Sequence, residues 1–391
     1  MLNSPYCSFP FYHRVTLTSG NSMPCCNWQY DLKPNINHTE YWNSEFAEDL
    51  RKQMSRNEIP KGCKSCVDID KNGGVAPRIS SFDFIDIDFI SPELTYEEVD
   101  LSNICNLKCR MCDSSRSSKL IKDDLLYGEN HPFDWTREVF KKQESGWTLT
   151  DDNAKSVKML RFLGGEPLLH QPQIIEAMKK LKDLKRLHEV TISLNTNMMT
   201  FLTDEFLDLA KHLYCLDLTL SIDGFGKLNE YIRSGSNWEE FINHLNKLVT
   251  LKKSSMKNIS LSFIYVPQLL NINKLDELYS FMKEYSDVIR ISNPIRLVSP
   301  ISYSLFNIPN EIISDMNIKL DKWIIDPKFE FIKEHIRIIK NYMNDSEEKT
   351  LSTIDWYIEF HHMNNLFDKT RNQRLEDYNP ELFNLINKCR R

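Results

Sequence analysis

Three cysteines stand close together in the run Cys105-Asn106-Leu107-Lys108-Cys109-Arg110-Met111-Cys112, a CxxxCxxC spacing. Three thiolates on one tight loop can hold three corners of an iron–sulfur cube and leave the fourth iron open, a place to do chemistry as well as to pass electrons. Zinc is the competing occupant. It normally takes four ligands from paired CxxC units, and no fourth cysteine lies close downstream. A second group, Leu163-Gly164-Gly165-Glu166-Pro167, combines two glycines that let backbone approach a ligand with a carboxylate that can pair with an ammonium.

The remaining cysteines sharpen the metal reading. Eight of the ten lie within the first 112 residues. The amino-terminal end carries neither a basic nor an apolar export segment, which favours metal over disulfides in a reducing, cytoplasmic compartment. Cys7, the pair Cys25-Cys26, and Cys63-Lys64-Ser65-Cys66 could supply four thiolates to one metal. Tetrahedral thiolate geometry suits zinc and iron alike. Adjacent cysteines point in different directions, so spacing alone does not choose between Cys25 and Cys26.

These residues need elements to position them. The chain of 391 residues has 41% hydrophobic and 27% charged residues, ordinary values for a globular protein. Apolar or β-branched runs at Tyr96–Leu101, Val157–Leu163, Glu189–Leu194, Cys215–Ile222, Ile259–Val266 and Val288–Val298 read as strands. Helical periods between them follow Ile174, Ile175, Met178, Leu181 and Leu184, then Phe241, Ile242, Leu245, Leu248 and Val249, then Ile272, Leu275, Leu278, Phe281 and Met282. Six βα units predict an α/β fold with a parallel sheet. A complete eight-unit barrel needs about 250 residues, so this stretch predicts a partial (β/α)6 barrel with the cysteine loop just after its first strand, where barrel sites lie.

The expected organisation is a small cysteine-rich domain over 1–80 with one amphipathic helix near Asn43–Arg56, and a linker over 81–94 containing Phe82, Phe84, Ile85, Ile87 and Phe89. The partial barrel spans 95–300, with a polar insertion over 128–156 carrying Trp135 and Trp147, and a helical carboxy-terminal region spans 301–391. Net charge is −6 and the lysines and arginines are scattered, so no basic nucleic-acid face is expected. No apolar run reaches the length of a membrane helix.

The order CxxxCxxC, then Gly-Gly-Glu-Pro, then strand ends reading Asn195-Thr196-Asn197 and Ser221-Ile222-Asp223-Gly224 resembles the radical S-adenosylmethionine (radical SAM) superfamily. The resemblance implies that Cys105, Cys109 and Cys112 bind a 4Fe–4S cluster whose open iron is chelated by S-adenosylmethionine, and that Gly164, Gly165 and Glu166 receive its methionine amine. It places Asn195 and Ser221 where ribose or carboxylate contacts occur, and makes Arg233 a carboxylate clamp. Such enzymes break the nucleotide reductively to a 5′-deoxyadenosyl radical, which abstracts hydrogen from the substrate. Met111 departs from the aromatic residue common before the third cysteine.

The amino-terminal cysteines, with Trp42-Asn43-Ser44 between them, are similar to SPASM and twitch modules, here preceding the barrel. That similarity implies a second, auxiliary 4Fe–4S cluster on Cys7, Cys25, Cys63 and Cys66. It also implies a peptide or protein substrate, or alternatively a small metabolite, and an electron donor of flavodoxin or ferredoxin type. The few residues before Cys7 leave no room for a leader-binding domain, which weighs against the peptide. A non-catalytic iron–sulfur carrier would be expected to have lost Glu166 or a loop cysteine, and both motifs are intact.

Overall fold

Five of the apolar runs named above become strands in the computed structural model, and the sixth, Val288–Val298, does so only over Arg290–Ile291; the structure describes residues 6–71, 76–83, 87–127, 141–345 and 349–389. Phe84, Ile85 and Trp135 lie outside the described residues. In chain order the strands are β1 (His13–Thr16), β2 (Ser22–Met23), β3 (Tyr96–Asp100), β4 (Lys108–Cys109) and β5 (Met159–Leu163). They continue as β6 (Thr191–Thr196), β7 (Cys215–Ser221), β8 (Arg233–Ser234), β9 (Ile259–Ile264) and β10 (Arg290–Ile291). The chain forms two compact units, and β7 begins in one and ends in the other.

The first unit comprises Met1–Ile104, Lys142–Asn195 and Leu202–Asp217. Its strand order is β2-β1-β3-β5-β6-β7. The β1–β3, β3–β5 and β5–β6 pairs are parallel, and β2 is an antiparallel edge. One face is apolar: Leu160 and Phe162 of β5 and Ile192 and Leu194 of β6 are fully buried. The helix Gln171–Asp183 buries Ile174, Ile175, Met178 and Leu181. The opposite face is polar. Glu98, Arg161 and Ser193 are neighbours in register; Arg161 lies 3.7 Å from Glu98, and Ser193 Oγ donates to Asp217 at 3.0 Å.

Segment 1–80 reads as irregular in sequence, yet it contributes β1 and β2 to this sheet. β1 is buried along its whole length. That is tolerable for Arg14 because its guanidinium meets Glu97 at 2.6 Å, both side chains being essentially unexposed. Trp147 Nε1 donates to the same Glu97 oxygen at 2.6 Å and packs edge-on against Phe162, so this part of the insertion is core. The one helix expected in the segment forms over Glu45–Ser55, capped by Ser44, whose Oγ accepts from Ala47 N.

The second unit comprises Cys105–Lys141, Thr196–Phe201 and Leu218–Arg391. It continues β7 and adds β9 and β10, which pair in parallel. Helix Trp238–Ser254 buries Phe241, Leu245 and Leu248, and helix Leu275–Lys283 buries Leu275, Leu278, Phe281 and Met282. The carboxy-terminal region is helical as expected, with helices Asn310–Ile325, Lys333–Met343, Thr353–Arg371 and Pro380–Lys388. In neither unit does the sheet close into a barrel: β2 is an edge in one and β10 in the other. The fold is α/β with a mainly parallel, open sheet. Among the described residues no helix is long and apolar enough to cross a membrane.

Candidate functional site

The cysteine loop belongs to the second unit. Its middle is pinned as strand β4, which pairs antiparallel with β8 so that Cys109 faces Arg233. Cys109 is buried, while Cys105 and Cys112 are half-buried. Leu107 N donates to Cys105 Sγ at 3.4 Å, and Asn197 Nδ2 reaches the same sulfur at 3.8 Å and Asn106 Oδ1 at 2.7 Å. Arg233 Nη1 lies 4.0 Å from Cys109 Sγ, and its Nε forms a 2.7 Å ion pair with the buried Asp223.

These contacts suit sulfurs that carry charge. The Cys109 thiol is pushed down, first by its hydrogen bond with Cys112 and then by Arg233 and Arg371, against the opposing effect of burial; Cys112 is pushed up correspondingly. Burial raises the Asp223 carboxyl, an effect that Arg233 partly offsets. N–H donors and a guanidinium around thiolates are the surroundings a cysteine-held cluster requires. The donor set therefore fits such a cluster.

In the first unit, Gly164 and Gly165 are required by close approach. A Cβ on Gly164 (φ +113°) would stand 2.3 Å from Ser102 O, and one on Gly165 would stand 2.2 Å from Ile104 O. Gly165 N donates to Ser102 O at 2.7 Å and Glu166 N to Ile104 O at 2.9 Å, so this turn lies along the residues leading directly into Cys105. The Glu166 side chain is buried, and its Oε1 accepts from Leu168 N at 3.1 Å, capping the turn Pro167–His170. Asn195 Oδ1, in β6, is buried and finds no hydrogen-bond partner among the described residues, as a ligand-contacting oxygen would.

Of the residues expected from the sequence, the second unit brings Arg233 to the cysteine loop, and the first sets Gly164, Gly165 and Glu166 against Ser102–Ile104. Ser221 ends β7, half-buried. Sequence reasoning missed Asn197 and Asp223 as partners of the loop and of Arg233. Both belong to strand-end runs that it did single out, so the signal was present.

The amino-terminal cysteines line one cavity. Cys7, Cys25, Cys26, Cys63 and Cys66 all contribute to its wall, together with Trp28. Trp28 joins the two cysteine-bearing turns: its N–H bonds Cys25 O at 3.2 Å, and Gln29 N bonds Gly62 O at 2.9 Å. A Cβ on Gly62 would lie 2.2 Å from the indole, so only glycine fits before Cys63. Burial, then the neighbouring thiols, push Cys25 well up and Cys63 up to about 12. Cys26 differs. It is exposed at its edge, and after burial its largest influences are Glu98 and Arg161 rather than the other cysteines. Among the described residues no three His, Cys, Asp or Glu side chains converge tightly enough for a single metal ion; a cubane binds its cysteines to different irons and needs them further apart.

Residues 99–282 match the family model described as Radical SAM superfamily. The matched segment covers just under half of the chain. It contains the cysteine loop, the Gly-Gly-Glu turn and the strands from the end of β3 to β9, and the amino-terminal cysteines lie outside it.

Among curated relatives, a GTP 3′,8-cyclase of Rhizobium leguminosarum bv. trifolii (strain WSM2304) is 26% identical over 174 residues, covering 44% of each chain. The chain thus spans less than half the length of that relative. Among solved structures, anSMEcpe with bound AdoMet is similar at a TM-score of 0.38 and 17% identity, covering 60% of each chain. Streptococcus suis SuiB is similar at a TM-score of 0.35 and 14% identity, over 82% of this chain and 68% of that one.

Proposed function

We propose that this chain is a radical SAM enzyme in which Cys105, Cys109 and Cys112 hold a catalytic 4Fe–4S cluster. The observation that carries the reading is the match of 99–282 to the radical SAM model, with an intact CxxxCxxC loop whose sulfurs receive N–H donors and a guanidinium. When bound, the reduced cluster supplies the electron that cleaves S-adenosylmethionine to a 5′-deoxyadenosyl radical. The chain's own residues then bind and orient. Gly164 and Gly165 allow close backbone approach, Glu166 takes the methionine ammonium, and Asn195 and Ser221 contact ribose or carboxylate. Arg233, held by Asp223, clamps the carboxylate.

Cys7, Cys25, Cys63 and Cys66 hold an auxiliary 4Fe–4S cluster of SPASM or twitch type. Support comes from the shared cavity and the mutual influence of Cys25, Cys63 and Cys7. The substrate is a peptide or protein. The polar sheet face of Glu98, Arg161, Ser193 and Asp217 offers partners for amides and charged side chains. A small metabolite is the second reading, and the GTP 3′,8-cyclase relative favours it. A flavodoxin or ferredoxin-type donor in the cytoplasm supplies electrons.

Glu166 gives the direct test of the binding assignment. Losing a charge-assisted hydrogen bond costs about 1.5–3 kcal/mol, roughly ten- to hundred-fold in affinity. Glu166→Ala is expected to weaken S-adenosylmethionine binding to the iron-loaded protein by that factor, read from perturbation of the reduced cluster's electron paramagnetic resonance, with iron content unchanged. Equal binding by the variant would remove Glu166 from the site.

A further inference from the structure

The two residues flanking Cys109 are both tied to the last turn of one distant helix. Arg110 is fully buried. Its guanidinium stacks over the Tyr231 ring at 3.7 Å and its Nη2 donates to Asp368 at 2.6 Å. On the other side of the cysteine, the Lys108 carbonyl accepts from Arg371 Nε at 3.1 Å. The side chains close a second link: Lys108 Nζ meets Asp123 at 2.9 Å, and Asp123 meets Arg371 at 3.3 Å. Asp368 and Arg371 both end the helix Thr353–Arg371.

We propose that the end of this helix is a clamp that sets the position of Cys109, with Arg110, Asp368 and Arg371 as its positioning residues. The inference rests on the reading that the loop cysteines bind the cluster. The carbonyl before Cys109 and the N–H after it are both held, the latter by Ile232 O at 2.8 Å, so neither peptide plane beside the cysteine is free to turn. Asp368 is fully committed: one oxygen accepts from Arg110 and from Tyr231 Oη at 3.0 Å, the other from Asn364 Nδ2 at 3.1 Å and Leu375 N at 3.2 Å. A carboxylate with its acceptor sites filled from four directions has one orientation. The segment Leu366–Asn372 thus holds the middle ligand of the loop.

Residues that orient metal ligands typically change metal retention by ten- to hundred-fold when altered. The test uses the full chain, anaerobically loaded with iron, exposed to a ferrous chelator while release is followed. Asp368→Asn, which keeps the shape and removes the charge, is expected to accelerate one of two release phases about tenfold and to shift the electron paramagnetic resonance of the reduced loop cluster; Asp368→Glu should restore both. The phase from the amino-terminal site serves as internal standard. Unchanged release, or equal acceleration of both phases together with a lowered melting temperature, overturns the clamp. If Asp368→Asn does not fold, Arg371→Gln carries the same expectation. An iron content that is unchanged when Cys105, Cys109 and Cys112 are all replaced by alanine overturns the underlying reading, and the clamp with it.

Discussion

Replacing Cys105, Cys109 and Cys112 together with alanine is expected to remove about half of the iron from reconstituted protein, roughly four of about eight atoms per chain, and all cleavage of S-adenosylmethionine. The expectation follows from locality. The three cysteines sit on one loop between Ile104 and Asp113, the loop's middle is fixed by the β4–β8 pair, and no other described cysteine contributes to that loop. Losing all three leaves a cubane nothing to attach to there. The amino-terminal cavity, built from a different part of the chain, should keep its share. Iron analysis with visible absorption on anaerobic protein reads the result, and an unchanged iron content would refute the assignment of the loop.

The second large effect concerns the cavity of Cys7, Cys25, Cys63 and Cys66. Cys63→Ala with Cys66→Ala is expected to remove the other half of the iron, leaving uncoupled cleavage of S-adenosylmethionine intact and abolishing substrate turnover. Both thiols lie at the start of one short helix, Lys64–Lys71, and the turn before it, so two of the four proposed ligands leave at once. Since burial and neighbouring thiols hold protons on Cys25 and Cys63, metal binding there must displace them, and a partial ligand set loses affinity steeply. Metal analysis decides the identity. Zinc in place of iron at this site in anaerobically prepared protein would contradict the auxiliary cluster.

The cysteine loop and the glycine turn were legible in the sequence because their chemistry is local. Ligands three and four residues apart need no knowledge of the rest of the fold, and two adjacent glycines after a strand announce close backbone approach, realised here against Ser102 and Ile104. The alternation of strands and helices was equally legible, since β5, β6, β7 and β9 carry apolar runs that the covering helices answer at helical spacing. β1 was not. Four residues, His-Arg-Val-Thr, give no alternation, and the burial of Arg14 makes sense only beside Glu97, which lies 83 positions away.

Long-range polar contacts hid in the same way. Arg110 carries no signal of its burial in the sequence around it, because its partner Asp368 is 258 positions distant. Adjacent cysteines look alike in a sequence, and their surroundings emerge only in three dimensions: Cys25 lies near Cys26, Cys7 and Cys63, and Cys26 chiefly near Glu98 and Arg161. Asn197 shows an intermediate case: its strand end stands out in the sequence, and its contact with Cys105 appears only in three dimensions.

Release of 5′-deoxyadenosine from S-adenosylmethionine tests the central claim most directly. Cluster-loaded protein reduced with dithionite is predicted to liberate 5′-deoxyadenosine, slowly even without substrate, and the protein lacking Cys105, Cys109 and Cys112 is predicted to liberate none. Fully loaded, reduced protein that leaves the nucleotide intact would contradict the account.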